Sequence, residues 1–72
     1  MHSQTVKYFA GMIQGAKQLN RKEKDILLRR LQTQNLEDIA RKYKLTAERI
    51  RQIEESALIK FLNKMAQLRL FD

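Results

Sequence analysis

Side chains that can recognise DNA bases are concentrated in one short stretch, ERIRQIEE. At about 100° per residue on a helix, Glu48, Gln52 and Glu55 share the outward side, with Arg49 and Arg51 on its two flanks. In the major groove, a glutamate can accept a hydrogen bond from cytosine and a glutamine can pair with adenine. Arginines on the flanks can bind phosphates. The pattern therefore predicts sequence-specific binding to duplex DNA.

A structural role is the alternative explanation for the two outer glutamates. Glu48 stands near the predicted helix start, where a carboxylate complements the helix dipole, and Arg51 is three or four residues from each glutamate. Glu55 lies one turn further along, where it would approach phosphates without an obvious partner. We therefore expect only the first two turns of this helix to enter the groove, as is usual for such helices.

The charge balance favours a polyanionic partner. Fifteen Lys and Arg residues stand against eight Asp and Glu residues, which gives a net charge of +7 and a pI near 10.2. Such a field attracts nucleic acid first and acidic membranes or proteins second. A basic surface that only contacts solvent is the alternative.

Several function classes lack the residues they need. Cysteine is absent, and the one histidine, His2, stands near the N-terminus without clustered carboxylates. We therefore expect no enzyme activity, no metal site, no cofactor and no small-molecule substrate. The apolar runs are too short to span a bilayer and no signal peptide is visible, so we expect a cytoplasmic protein that does not bind membranes.

Helical periodicity dominates the chain, which has no proline and only two glycines. Asn20 with Glu23 resembles a capping box, and Asn35 and Thr46 are further cap residues. A tight turn before Thr46 joins two short helical segments, a pattern typical of a helix-turn-helix. We predict one all-α, small four-helix domain over residues 1–72, with helices at about 3–17, 21–31, 36–43 and 47–70, the last being the longest. The predicted core is Leu27, Leu31, Ile39, Leu45, Ile50, Ile53 and Phe61.

Two segments, LNRKEKDILLRRL and NLEDIARKYKLTAERIRQIEESALIKF, resemble region 4 of the sigma-70 family of bacterial sigma factors. The similarity covers roughly residues 19–62, and the run ERIRQIE followed by AL is its most specific part. The resemblance implies binding to the −35 promoter element in double-stranded DNA and docking on the flap of the RNA polymerase β subunit. It also implies a bacterial cytoplasmic location.

The resemblance also assigns roles to individual residues. Glu48, Arg51 and Gln52 occupy the base-contacting positions of the family. The residues predicted to contact the DNA backbone are Arg30, Asn35, Arg41, Lys42, Thr46 and Arg49.

Some positions depart from the primary sigma factors. Ala47 stands where these usually have a base-contacting arginine, which is closer to alternative, heat-shock-type sigma factors. The connection formed by residues 32–34 is shorter than in most members. Ser56, Ile59 and Leu62 replace basic positions that meet activators. The far half of the last helix is consequently apolar, and it either packs against the first helix or binds a protein. The candidate partner surface is Leu58, Ile59, Leu62 and Met65.

Two other function classes remain open. A free-standing helix-turn-helix regulator could dimerise through the apolar C-terminal half, and it would then need paired half-sites about one DNA turn apart. A sigma-like protein-interaction module could instead be bound by an anti-sigma factor or another regulator.

Overall fold

The computed structural model describes residues 4–68, which form four α-helices and, within that range, no strand. The all-α prediction is confirmed. The helices are α1 (Gln4–Gln14), α2 (Arg21–Leu31), α3 (Leu36–Tyr43) and α4 (Ala47–Gln67). The predicted first residue of α1 and the predicted end of α4 at residue 70 lie outside the described residues. None of the described helices is both long enough and apolar enough to cross a membrane.

Three polar side chains fix where α2, α3 and α4 begin. The Glu23 backbone N–H donates to Asn20 Oδ1 at 2.8 Å and Glu23 Oε1 accepts from the Asn20 backbone N–H at 2.9 Å, which completes a capping box. At the start of α3, Asn35 Oδ1 accepts a hydrogen bond from the Asp38 backbone N–H at 2.8 Å. At the start of α4, Thr46 Oγ1 accepts one from the Arg49 backbone N–H at 3.1 Å. The predicted caps are confirmed, and they hold the short helices at fixed starting points.

The first helix ends at Gln14, so its predicted end at residue 17 is wrong. Gly15 follows the last helical residue, and glycine is a poor helix former. Beyond it the chain turns so that Ala16 and Leu19 are both buried. A side chain from α2 stabilises this end, because Lys24 Nζ donates to the Gln14 carbonyl at 2.9 Å. Burial of the connecting segment thus takes the place of another helical turn.

A left-handed residue makes the turn between α3 and α4. Lys44 has φ 57° and ψ 41°, and the Leu45 backbone N–H donates to the Ala40 carbonyl at 3.0 Å. The Leu45 side chain lies at the surface with 37% of its area exposed, so the prediction that it belongs to the core is wrong. Its contribution to the turn comes from the backbone, since the sharp reversal at Lys44 leaves the next side chain at the surface.

The buried side chains form two clusters. The turn cluster consists of Ile26, Ile39, Ala40 and Ile50, with Leu36, Tyr43 and Ile53 partly buried against it. The α1 cluster consists of Ile13, Ala16, Leu19, Leu27, Ala57, Phe61 and Met65, with Phe9, Met12, Leu28 and Leu31 partly buried against it.

Two more sequence predictions need correction. Leu31 and Ile53 lie at the edges of the clusters and are only partly buried. Met65 is 4% exposed within the α1 cluster, so it does not belong to a partner surface. Its burial follows from the position of α1, whose Ile13 belongs to the same cluster.

Two ion pairs join α2 to α4 and fix how the helices align. Arg30 Nε lies 2.8 Å from Glu54 Oε2, and Lys60 Nζ lies 2.8 Å from Glu23 Oε2. Glu23 is the one buried charged residue of the described chain, at 6% exposure. The hydrogen bond from Lys60, together with that from the Asn20 backbone, lowers the pKa of Glu23 although burial opposes the shift. The carboxylate therefore stays ionised at neutral pH and supports both the cap and the helix contact.

Candidate nucleic-acid interface

The first half of α4 turns a charged face to solvent. Glu48, Arg51, Gln52 and Glu55 are exposed, whereas Ile50 on the other side of the helix is completely buried. The buried isoleucine packs with α3, so the orientation of the exposed face is fixed by the turn cluster. The structure therefore brings the three predicted base-contacting residues onto one exposed face.

Arg51 is held between two glutamates on this face. Its Nε and Nη2 atoms lie 2.9 Å and 2.5 Å from the two carboxylate oxygens of Glu48, and its Nη1 lies 3.2 Å from Glu55 Oε2. The hydrogen bond from Arg51 lowers the pKa of Glu48, and the same pair raises the pKa of Arg51. Both shifts favour the charged forms of Glu48 and Arg51. These two residues and Glu55 are called the Glu48–Arg51–Glu55 cluster below.

Arg49 occupies the other flank of the same face. One of its terminal nitrogens, Nη1, lies 3.5 Å from Gln52 Oε1, at the outer limit of a hydrogen bond. Such a contact is weak and leaves both side chains able to bind DNA groups. The predicted roles of Gln52 at a base edge and of Arg49 at a phosphate are therefore compatible with this contact.

An open cleft lies between the start of α2 and this part of α4. Its lining includes Arg21 and Lys22 from α2 and Arg49, Gln52 and Ser56 from α4. Sequence reasoning missed the first two residues, since their role depends on α2 meeting α4 in space. The available signal was their place directly after the Asn20 cap of α2, where basic side chains are not explained by the helix dipole.

Tyr43 at the end of α3 extends this basic region. Lys22 Nζ and Lys42 Nζ lie 5.7 Å and 5.4 Å from the centre of its ring, within cation–π range. Burial and the adjacent Asp25 carboxylate raise the pKa of Tyr43 to about 12. The Tyr43 hydroxyl donates to Asp25, which Arg29 also contacts at 2.9 Å. These bonds hold the ring in place beside the two lysines.

The remaining residues predicted to contact the DNA backbone already have protein partners. Asn35 and Thr46 use their side-chain oxygens as helix caps. Arg41 pairs with Asp38 on the exposed surface of α3. These contacts leave their assignment to DNA as a prediction.

Arg30 is more tightly held than the other predicted backbone-contacting residues. Its Nε bonds Glu54, its Nη1 donates to the Gln34 carbonyl at 2.9 Å, and its side chain is 35% exposed. A phosphate contact would have to use its remaining donors. Its visible role is to join α2 to α4 and to the connection after α2.

The second half of α4 exposes three large apolar side chains. Leu58, Ile59 and Leu62 are 40%, 57% and 48% exposed, and they are called the α4 apolar surface below. Leu58 and Leu62 also border an open groove whose floor includes Leu27 and Phe61. This surface lies on the part of α4 beyond the charged face.

The described residues contain no group of His, Cys, Asp or Glu side chains that could hold a metal ion. Their candidate functional groups are instead a charged helix face, a basic cleft and an apolar surface. This combination is suited to binding macromolecules.

A comparison with protein-family models supports this description. The model described as sigma-70, region 4, matches residues 16–60, more than half of the chain. The match includes α2, α3 and the first two thirds of α4, and its family consists of DNA-binding helix-turn-helix domains. No curated protein and no solved structure matches the chain.

Proposed function

Because the chain belongs to the sigma-70 region 4 family, we propose that it binds a −35-type promoter element and docks on the β-subunit flap of bacterial RNA polymerase. In this role it acts in transcription initiation in the bacterial cytoplasm. The observation that carries the DNA half of the proposal is the exposed face of α4, which bears Glu48, Arg51 and Gln52. On its Arg49 side this face borders a cleft that Arg21 and Lys22 of α2 also line.

The chemistry of the face supports contacts with particular bases. Gln52 suits adenine, Glu48 suits the amino group of cytosine and Arg51 suits guanine. Ala47, at the first position of α4, adds no polar contact of its own. Its small side chain favours a −35 sequence of the alternative-sigma type over that of primary sigma factors.

Basic side chains around the face supply phosphate contacts. Arg49 and Lys42 retain exposed side chains on α4 and α3, and Arg21 and Lys22 add charge at the start of α2. If about four such residues bind phosphates, the slope of log affinity against log salt concentration is near −4. The net charge of +7 makes association with DNA fast at low salt.

The α4 apolar surface supports the polymerase half of the proposal. A group of exposed apolar side chains favours a protein contact. Leu58, Ile59 and Leu62 lie on the second half of α4, beyond the charged face on its first half. The same surface could serve an anti-sigma factor or a second copy of the chain, as in a dimeric regulator. Sedimentation distinguishes the last case, because a region 4 domain without polymerase is a monomer.

The proposal is tested by separating base contacts from charge. We expect Gln52→Ala to reduce discrimination between a −35-like duplex and a scrambled one by about 1–3 kcal/mol. The salt slope stays unchanged, because the substitution removes no charge. Fluorescence anisotropy with both duplexes over a salt series measures discrimination and slope together.

Arg49→Ala is the matched control on the neighbouring flank. It weakens binding to both duplexes alike and makes the salt slope shallower by about one. A Gln52→Ala variant that loses the same affinity for both duplexes would remove the base-contacting role. A wild-type protein that binds neither duplex with a salt-dependent affinity would exclude DNA as the partner.

A further inference from the structure

We propose that Glu55 is a specificity-determining residue that acts through Arg51 and limits binding to non-specific DNA. The inference rests on the proposed function, because it concerns the same face of α4. Glu55 does not belong to the predicted base-contacting set. Its role would be to hold the Arg51 guanidinium in a position that suits base edges better than phosphates.

The geometry shows how Arg51 is shared. Arg51 donates hydrogen bonds from Nε and Nη2 to Glu48 and from Nη1 to Glu55. Every guanidinium nitrogen therefore already has a carboxylate partner. One positive charge stands against two negative charges, so the cluster as a whole repels a phosphate although it contains an arginine.

The ordinary structural explanations for Glu55 are weak. It lies more than two turns after the N-terminus of the 21-residue α4, beyond the region where a carboxylate complements the helix dipole. It forms an i, i+4 pair in which the arginine precedes the glutamate, which is the less stabilising order. Its side chain is 67% exposed. An exposed pair of this kind contributes little to stability, so the position of Arg51 is its main visible effect.

Bases and phosphates place different demands on this cluster. A phosphate offers only acceptors and negative charge, so the Glu55 carboxylate repels a phosphate that approaches Arg51. Base edges offer neutral acceptors to Arg51 and an amino donor to Glu48, so the cluster can meet them without being broken. Glu55 thus weakens the contact of Arg51 with a phosphate more than its contact with a base. This difference in binding free energy is what makes the binding specific.

Glu55→Gln tests the inference with almost no change in side-chain size. We expect affinity for a scrambled duplex to rise roughly two- to five-fold at low salt, the range of one exposed ion pair. Affinity for the −35-like duplex rises less, so discrimination falls. The salt slope becomes steeper by up to about one, because Arg51 can now bind a phosphate.

Glu37→Gln is the charge-matched control. Glu37 is an exposed glutamate in the first turn of α3 and is not a partner of Arg51. The substitution changes net charge by the same amount without releasing the arginine. Equal effects of the two substitutions would mean that only net charge matters, and the inference would be overturned.

A double-mutant cycle with Arg51→Ala decides whether Glu55 acts through the arginine. In the Arg51→Ala background, we expect Glu55→Gln to change neither discrimination nor salt slope. An effect that persists there shows that Glu55 acts on DNA directly, which overturns the inference while the proposed function stands. A wild-type protein that does not discriminate between the duplexes overturns the proposed function, and the inference with it.

Discussion

The two buried clusters of this small domain both include residues of α4, but they differ in how completely their side chains are shielded from solvent. The turn cluster has only four buried members, of which Ile26, Ile39 and Ile50 are 0% exposed and Ala40 is 5% exposed. The α1 cluster has seven, of which Phe61 and Met65 retain 6% and 4% exposure. The smaller cluster is thus the more completely enclosed.

The difference corresponds to two tasks along one helix. The turn cluster sets the angle between α3 and the first half of α4, the half that we propose faces DNA, and an angle is kept only by close packing. The α1 cluster anchors the second half, beside which Leu58, Ile59 and Leu62 stay exposed. The family match from residue 16 to residue 60 contains the whole turn cluster and leaves out α1. Through Ile13, α1 contributes to the α1 cluster although it lies outside the matched range.

The largest expected effect comes from truncating the turn cluster. Ile50→Ala should lower the free energy of unfolding by about 2–5 kcal/mol, toward the upper end because the enclosed site cannot collapse around the cavity. Binding to the −35-like duplex should fall with it, since the face of α4 loses its support. Urea denaturation followed by circular dichroism, together with anisotropy, measures both effects. Ile50→Val, at about 0.5–1.5 kcal/mol, gives a folded variant if the larger truncation does not fold.

Met65→Ala is the matched truncation in the α1 cluster. Met65 borders an open groove with Leu68 and Gly15, so neighbouring side chains can move into the vacated space. We expect a loss in the lower half of the same range and unchanged duplex affinity at temperatures where the variant is folded. Equal losses of duplex affinity from Ile50→Val and Met65→Ala would show that the two clusters do not divide their tasks in this way.

An intermediate effect on stability is expected at Glu23 of α2, which forms an ion pair with Lys60 of α4. Glu23→Gln keeps an acceptor for the capping box but loses the charge that binds Lys60. We expect a loss of about 0.5–1.5 kcal/mol at pH 7, discounted because Lys60 is 47% exposed. The pKa of Glu23 is lowered from 4.5 in the folded chain, so this contribution is present above pH 4.5 and disappears as the pH falls through the folded-state pKa.

The measurement is the free energy of unfolding of the wild type and of Glu23→Gln at several pH values from 7 to 3. The difference between them should shrink toward acid pH. In a Lys60→Met background, the pH-dependent part of the difference should be much smaller. A difference that grows as the pH falls would contradict the assigned sign.

Features of the fold that depend on local sequence could be predicted. Asn20, Asn35 and Thr46 each precede a helical pattern, and a cap requires only a side chain and the next three backbone groups. The charged face of α4 follows from the helical repeat alone. The ion pair between Glu48 and Arg51 could be predicted for the same reason, because residues three apart are neighbours on a helix.

Features that depend on contacts between distant segments could not be predicted. A helical wheel places Met65 on an apolar stripe, but only the position of α1 decides that it is buried. The early end of α1 follows from the burial of Ala16 and Leu19. Likewise, Arg21 and Lys22 join the candidate interface only because α2 begins beside α4.

The smallest effect on stability, and the most specific effect on function, is expected at the α4 apolar surface. Leu62 is 48% exposed, so Leu62→Ser should change the free energy of unfolding by no more than about 0.5 kcal/mol. Duplex affinity should stay the same, because the charged face of α4 is untouched. Binding to an isolated β flap should weaken roughly ten-fold or more, as expected for an apolar anchor in an interface.

Asn63→Ser, an exposed polar neighbour on α4, is the control and should leave flap binding unchanged. Pulldown with the isolated flap, followed by calorimetry, gives the two affinities, and sedimentation of the same variants reports self-association. Loss of a wild-type dimer in Leu62→Ser alone would assign the surface to a second copy of the chain. A loss of stability above about 1 kcal/mol would instead assign Leu62 to the α1 cluster. In either case the surface would no longer support the polymerase half of the proposal, while the contacts proposed for the other end of α4 would be unaffected.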